Sequence, residues 1–197
     1  MRDLTAHYSW VHGIEHLEAW TVAVVDGATL AAVLAAYGSS EDARIGDLTY
    51  EAAFMLLVEE SDTPAETPVA LFRTEGPRIV VMEPAGWTGT SHKVAREASR
   101  EGAFFSVNRS SKTTWIVQAD HGQILGSFDP MHLGSPNYPN EIVPEWVNSD
   151  DFERPGLHAK MLAAMESRSG LTIHRTWLDE PTPTYRITYP PDTGGMK

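Results

Sequence analysis

Arg78-Ile-Val-Val-Met-Glu83-Pro-Ala-Gly86 decides the fold, read with three runs that follow Gly102: Ala103-Phe-Phe-Ser-Val107, Thr113-Thr-Trp-Ile-Val-Gln-Ala119 and Gln123-Ile-Leu-Gly-Ser-Phe128. Each run is rich in β-branched or aromatic residues, and turn residues stop the first and separate the others: Pro84-Ala-Gly86, Asn108-Arg-Ser-Ser111 and Asp120-His-Gly122. Between the first run and the second, Ser91 introduces a helical stretch. The pattern predicts an antiparallel sheet with a helix laid on it.

Upstream, Val69-Ala-Leu-Phe-Arg-Thr74 pairs with the Arg78 run across Glu75-Gly-Pro77 as a hairpin. Thr21-Val-Ala-Val-Val25 reads as a first strand closed by Asp26-Gly27. Residues 28–37 place Leu30, Val33, Leu34 and Tyr37 on one helical face, and Gly38 suits the left-handed position after the last turn. Residues 39–47 are polar and read as a loop. Residues 50–60 carry an apolar run that suits either element, and their Ala, Met, Leu and Glu content favours helix. Residues 8–20 suit a short helix or a pair of turns packed on the sheet.

Downstream, residues 131–155 hold four prolines, which rules out a regular ladder or a long helix. Met131, Leu133, Tyr138, Ile142, Val143, Trp146 and Val147 would pin this span to the body. Pro155 suits the first turn of a helix reaching Ser169, with Leu157, Met161, Leu162 and Met165 as its apolar stripe. One more turn is expected within 172–178, and Thr184-Tyr-Arg-Ile-Thr-Tyr189 alternates as an edge strand. The expectation is an α+β protein: a mainly antiparallel sheet of about six or seven strands, with helices 28–37, 91–100 and 157–169 packed largely on one face. Residues 1–189 would form a single domain and 190–197 a flexible tail.

Composition narrows the function classes. The formal charge is −12 over 197 residues, which works against nucleic acid, because phosphate contacts supply most of that affinity. Lys93, Arg96, Arg100, Arg109 and Lys112 form a local basic run, best read as a solvated face. Stacking of single strands on Phe104, Phe105 and Trp115 beside that run is the weakest option. There is no cysteine, hence no disulfide, thiolate zinc site or cysteine nucleophile. Met1-Arg-Asp-Leu-Thr5 lacks a signal-peptide core, and the longest apolar run is about half of what a spanning helix needs. A cytoplasmic protein that binds no membrane is expected.

No catalytic motif stands out. His12 and His16 are spaced i, i+4, but Glu15 adjoins the second histidine and no third ligand follows, so no metal site is expected. His121 belongs to a turn. No phosphate-binding glycine loop is present and no cofactor is expected; Ser99, Ser106, Ser127 and Ser135 lack a histidine at a recognisable offset. Glu83 and Asp129 close two strands, where paired carboxylates can perform acid–base work, although Glu-Pro and Asp-Pro are also ordinary punctuation. Trp87 sits on a turn between strand and helix. With Tyr138 and Trp146 it would form an aromatic cluster if the long loop folds over that end of the sheet. The candidate binding residues are therefore Trp87, Glu83, Asp129, Tyr138 and Trp146.

The chain carries, in this order and spacing, Tyr8-Ser-Trp10, Glu83-Pro84, Gly86-Trp87, Ser99-Arg100, Ser106-Val107-Asn108, Ala119, Gly122, Ser127-Phe-Asp-Pro130, Gly134-Ser135, Pro139 and Trp177-Leu178. In these the chain resembles an uncharacterised domain family of actinobacteria and their phages, known only as a domain of unknown function. The chain departs from it at residues 39–47, in the Pro/Asn loop and in the tail. The resemblance implies fold and setting, and no activity. The functional expectation is an intracellular module that binds another protein in a regulatory, immunity-like or phage host-takeover role. The alternative is a hydrolase using Glu83, Asp129 and a histidine, with or without a metal.

Overall fold

A computed structural model of the chain describes residues 4–13, 19–60, 68–110, 113–135, 140–153 and 155–188. Its centre is one sheet of eight strands: β1 (Trp20–Asp26), β2 (Arg44–Leu48), β3 (Val69–Glu75), β4 (Arg78–Pro84), β5 (Ala103–Arg109), β6 (Thr114–Asp120), β7 (Gln123–Phe128) and β8 (Thr182–Arg186). They lie in the order β2-β8-β3-β4-β1-β5-β6-β7, and every neighbouring pair is antiparallel. The α+β class and the antiparallel sheet are as expected.

The strand count is higher than expected because residues 39–47 are more than a loop. Arg44–Leu48 pairs with β8 through a bulge between Arg44 and Gly46. Its residues are mostly exposed, so no alternation marks it in the sequence. With β2 outside it, β8 is an inner strand and β2 and β7 are the edges, which corrects the edge-strand expectation for Thr184–Tyr189.

The helices are α1 (Leu4–His7), α2 (Leu30–Ala36), α3 (Tyr50–Glu60), α4 (His92–Ala98) and α5 (Leu157–Ser169). They divide between the two faces of the sheet, contrary to the one-sided packing expected. Successive β1 residues join opposite cores. Val22 and Val24 pack with Ala53 of α3 and Leu157, Met161, Leu162 and Met165 of α5. Ala23 and Val25 pack with Val33 and Leu34 of α2 and Val94, Ala95 and Ala98 of α4. A strand buried on both sides is apolar throughout, as Thr21–Val25 is.

Local chemistry sets the helix limits. The Thr29 hydroxyl caps α2 by accepting the Ala32 N–H at 3.3 Å. Gly38 takes φ 65° after α2, as expected, and a Cβ there would fall 1.9 Å from the Thr188 hydroxyl oxygen. Pro155 lies outside α5, before the left-handed N-cap Gly156, and not in its first turn.

The pinning expected of the span after β7 holds in part, since the Ile142 and Val143 side chains are exposed. Met131, Leu133, Trp146 and Val147 pack against the α3/α5 core, and Ile142 bridges Ser127. Tyr138, His16, Lys112 and the 190–197 tail lie outside the described residues. Among the described residues no helix is long and apolar enough to cross a membrane.

Candidate functional site

β4 ends at Glu83-Pro84, and the chain then turns through Ala85-Gly86-Trp87 into a short 3-10 turn, Thr88–Thr90, that leads to α4. Register brings three polar residues into one row under this loop. Thr21 of β1 stands opposite Glu83 on one side and opposite Asn108 of β5 on the other. All three are buried. Since buried polar groups must find partners, the row and the loop backbone satisfy one another.

The Glu83 carboxylate is wholly buried and takes two loop amides: Oε2 accepts the Thr88 N–H and Oε1 the Gly89 N–H, each at 2.7 Å. The Thr21 hydroxyl donates to the Gly86 carbonyl at 2.7 Å. Asn108 Nδ2 donates to Thr21 Oγ1 at 2.9 Å and to the Trp20 carbonyl at 3.1 Å. From the neighbouring position on β5, the Ser106 hydroxyl donates to the Gly89 carbonyl at 2.7 Å. Thr90 closes the turn on the Trp87 carbonyl through both its hydroxyl and its N–H. Four side chains from three strands thus fix a six-residue loop.

Space dictates the glycines. A Cβ on Gly86 would lie 2.6 Å from Glu83 Oε2, and one on Gly89 would lie 2.8 Å from the Tyr37 hydroxyl and 3.1 Å from Glu83 Oε1. Ala85 takes φ 54°, a left-handed conformation that the surrounding bonds must hold in place. The Glu-Pro-x-Gly-Trp-x-Gly pattern is the sequence image of this packing.

Burial pushes the Glu83 carboxyl from 4.5 up to about 7, and the loop N–H groups offset part of that rise. Burial likewise pushes the Tyr37 hydroxyl well up, with the Glu83 charge adding to it. Above this network Trp87 is 50% exposed at the loop tip.

Asp129 sits elsewhere. It is fully buried; Oδ1 accepts the Thr114 hydroxyl and the Met131 N–H (2.8 Å), and Oδ2 accepts the His132 Nδ1–H at 2.9 Å. These bonds shape the turn after β7. Three strands separate β4 from β7, which puts the two carboxylates on the order of 19 Å apart at ~4.8 Å per strand step. Glu83 and Asp129 do not converge. Among the described residues no three His, Asp or Glu side chains gather as metal ligands.

Trp146 belongs to the opposite face from the Glu83 loop. Its ring lies 6.1 Å from each of Phe105 and Phe128, and its Nε1–H donates to Gln118 Oε1 at 2.9 Å. Trp87 and Trp146 therefore do not cluster. Phe104 and Phe105 are buried, on opposite faces, so they offer single-stranded nucleic acid no stacking surface.

The structure also forms a contact that the sequence did not signal. His92 Nε2 lies 2.7 Å from the Ser127 hydroxyl, which accepts the Trp115 indole N–H at 3.0 Å and so is free to donate to the ring. The residues are 35 positions apart, on α4 and β7, and only tertiary packing joins them. Burial lowers the His92 pKa, with Arg96 adding to the effect, in keeping with a neutral ring that accepts. Ser127 is only 2% exposed.

No protein-family model matches the chain, and neither a curated protein nor a solved structure does.

Proposed function

We propose that this chain is a recognition module that engages another protein through Trp87. The observation behind the reading is a half-exposed indole on a loop whose backbone is fixed by Glu83, Thr21, Ser106 and Asn108. A side chain already positioned forfeits little freedom on binding, and Trp is prominent among residues that dominate interface energies. The role proposed for it is regulatory, immunity-like or phage host-takeover in a cytoplasmic setting; the resemblance to the actinobacterial and phage domain family bears on the setting alone. The hydrolase alternative has less support, because Glu83 and Asp129 each serve the backbone of their own loop, on well-separated strands.

Photo-crosslinking tests the reading. A benzophenone amino acid in place of Trp87 should give one discrete adduct in lysate of the native cell, and the unlabelled protein should compete it away while the Trp87→Ala variant should not. The same probe at Leu125, an exposed apolar position on β7, should not give that adduct. Identical adducts from both positions, or none from position 87, would remove the proposal.

A further inference from the structure

A groove of about 490 Å³ runs along α5 on the face of the sheet away from Trp87. Its floor is one stripe of that helix, Lys160, Ala164, Ser167 and Arg168, and Trp146 and Phe152 stand along its wall. Positions 160, 164 and 168 are successive i, i+4 neighbours, so they project in one line. Two cations at the ends of this line are notable in a chain of net charge −12. Between them Ala164, which also lines the groove, carries only a methyl group.

Both cations are held in place. Lys160 Nζ donates to the Glu153 carbonyl at 2.6 Å, and the Arg168 guanidinium lies 5.2 Å from the centre of the Trp146 ring. Trp146 is itself fixed by Gln118, Phe105 and Phe128. An ammonium carries three N–H donors and a guanidinium five, so each cation is suited to a carboxylate beyond the contact it already makes.

Spacing selects the ligand. Eight residues of helix separate Lys160 from Arg168, about 12 Å at 1.5 Å per residue. An extended peptide advances ~3.3 Å per residue and shows alternate side chains to the same side. Acidic residues four apart would therefore face the groove together, ~13 Å apart, and the residue midway would face it too. That middle position lies over Ala164 beside Trp146 and Phe152, and calls for an apolar side chain. Asp151 and Ser167 bring acceptor oxygens to the same groove, which fit the N–H groups of a peptide backbone better than a bare anion.

We propose that the α5 groove binds an extended segment of a partner protein with the pattern acidic-x-apolar-x-acidic, one carboxylate on Lys160 and the other on Arg168. This site lies on the other face from Trp87 and does not rest on the reading of that loop.

A random peptide library displayed on phage and panned against the whole protein provides the test. Enriched peptides should carry Asp or Glu pairs four residues apart around an apolar residue. The best of them, made synthetically, should bind the wild type at least tenfold more tightly than the Lys160→Gln/Arg168→Gln variant. Its affinity should fall with added salt and stay unchanged in Trp87→Ala. The single Lys160→Gln variant, checked for an unaltered melting temperature, should show an intermediate loss. Enrichment of sequences without the acidic pair, equal affinity for the double variant, or no enrichment at all would overturn the proposal. So would glutarate binding as tightly as the peptide, which would make the occupant a small anion.

Discussion

Glu83 holds the Gly89 amide at 2.7 Å from beneath a loop whose tip is Trp87, so a buried acid on a strand end fixes the backbone that carries a half-exposed indole. The acid is out of reach of any partner, and its role is to hold the loop still.

Removing that anchor leaves the Thr88 and Gly89 amides buried without an acceptor. Glu83→Ala should destabilise the protein by about 2 kcal/mol or more, in the range for orphaned buried donors. Trp87→Ala should change stability by less than about 1 kcal/mol, since half of that side chain already faces water. Urea unfolding of the two variants would compare them directly.

The acid also sets a pH dependence. With Glu83 raised from 4.5 to about 7 by burial, the folded state holds this proton more tightly than the unfolded chain. Its contribution to stability is fully present below about pH 4.5 and is lost as the pH rises through 7. The change is at most about 3.5 kcal/mol, at ~1.4 kcal/mol per pH unit. Urea midpoints recorded from pH 4 to 8 should carry this component in the wild type and lack it in Glu83→Gln.

Gly86 separates steric need from backbone freedom. Gly86→Ala sets a methyl against the Glu83 carboxylate and should cost about 1–3 kcal/mol, as overpacking does. Among the described residues, Gly13→Ala meets nothing closer than the Trp10 carbonyl at 3.9 Å, and should stay within about 0.5 kcal/mol of wild type by thermal unfolding.

A second buried bond pins the N-terminal segment. The Tyr8 hydroxyl donates to Glu166 Oε2 at 2.6 Å and accepts the Ile173 N–H at 3.0 Å. Tyr8→Phe should cost about 1–3 kcal/mol, because it leaves that N–H and the carboxylate short of a partner. Adding Glu166→Gln should cost less than it does alone, and a double-mutant cycle would measure the coupling.

Sequence reading reached the elements that local chemistry specifies. The β3–β4 hairpin, the β5–β6–β7 meander, α2, α3 and α5 all follow from periodicity and turn residues. It missed β2, where Arg44-Ile-Gly-Asp-Leu48 has no alternation, and where the pairing partner β8 lies more than 130 residues away. That omission made β8 look like an edge. Two-sided helix packing was legible in the unbroken apolar run of β1, which a one-faced sheet would not need. At the site, Glu83 and Trp87 were picked out, but the loop anchor was not: Thr21, Ser106 and Asn108 come together only through strand register. The separation of Trp87 from Trp146 depends on which face each loop covers, and no local pattern records that.

Backbone amide relaxation at Gly86–Gly89 in the free protein is the deciding measurement. If Glu83 holds the loop, order parameters lie near 0.85, matching the strands, and fall sharply in Glu83→Ala. Values below about 0.6 in the wild type would mean that Trp87 is not held before binding, and would contradict that anchoring.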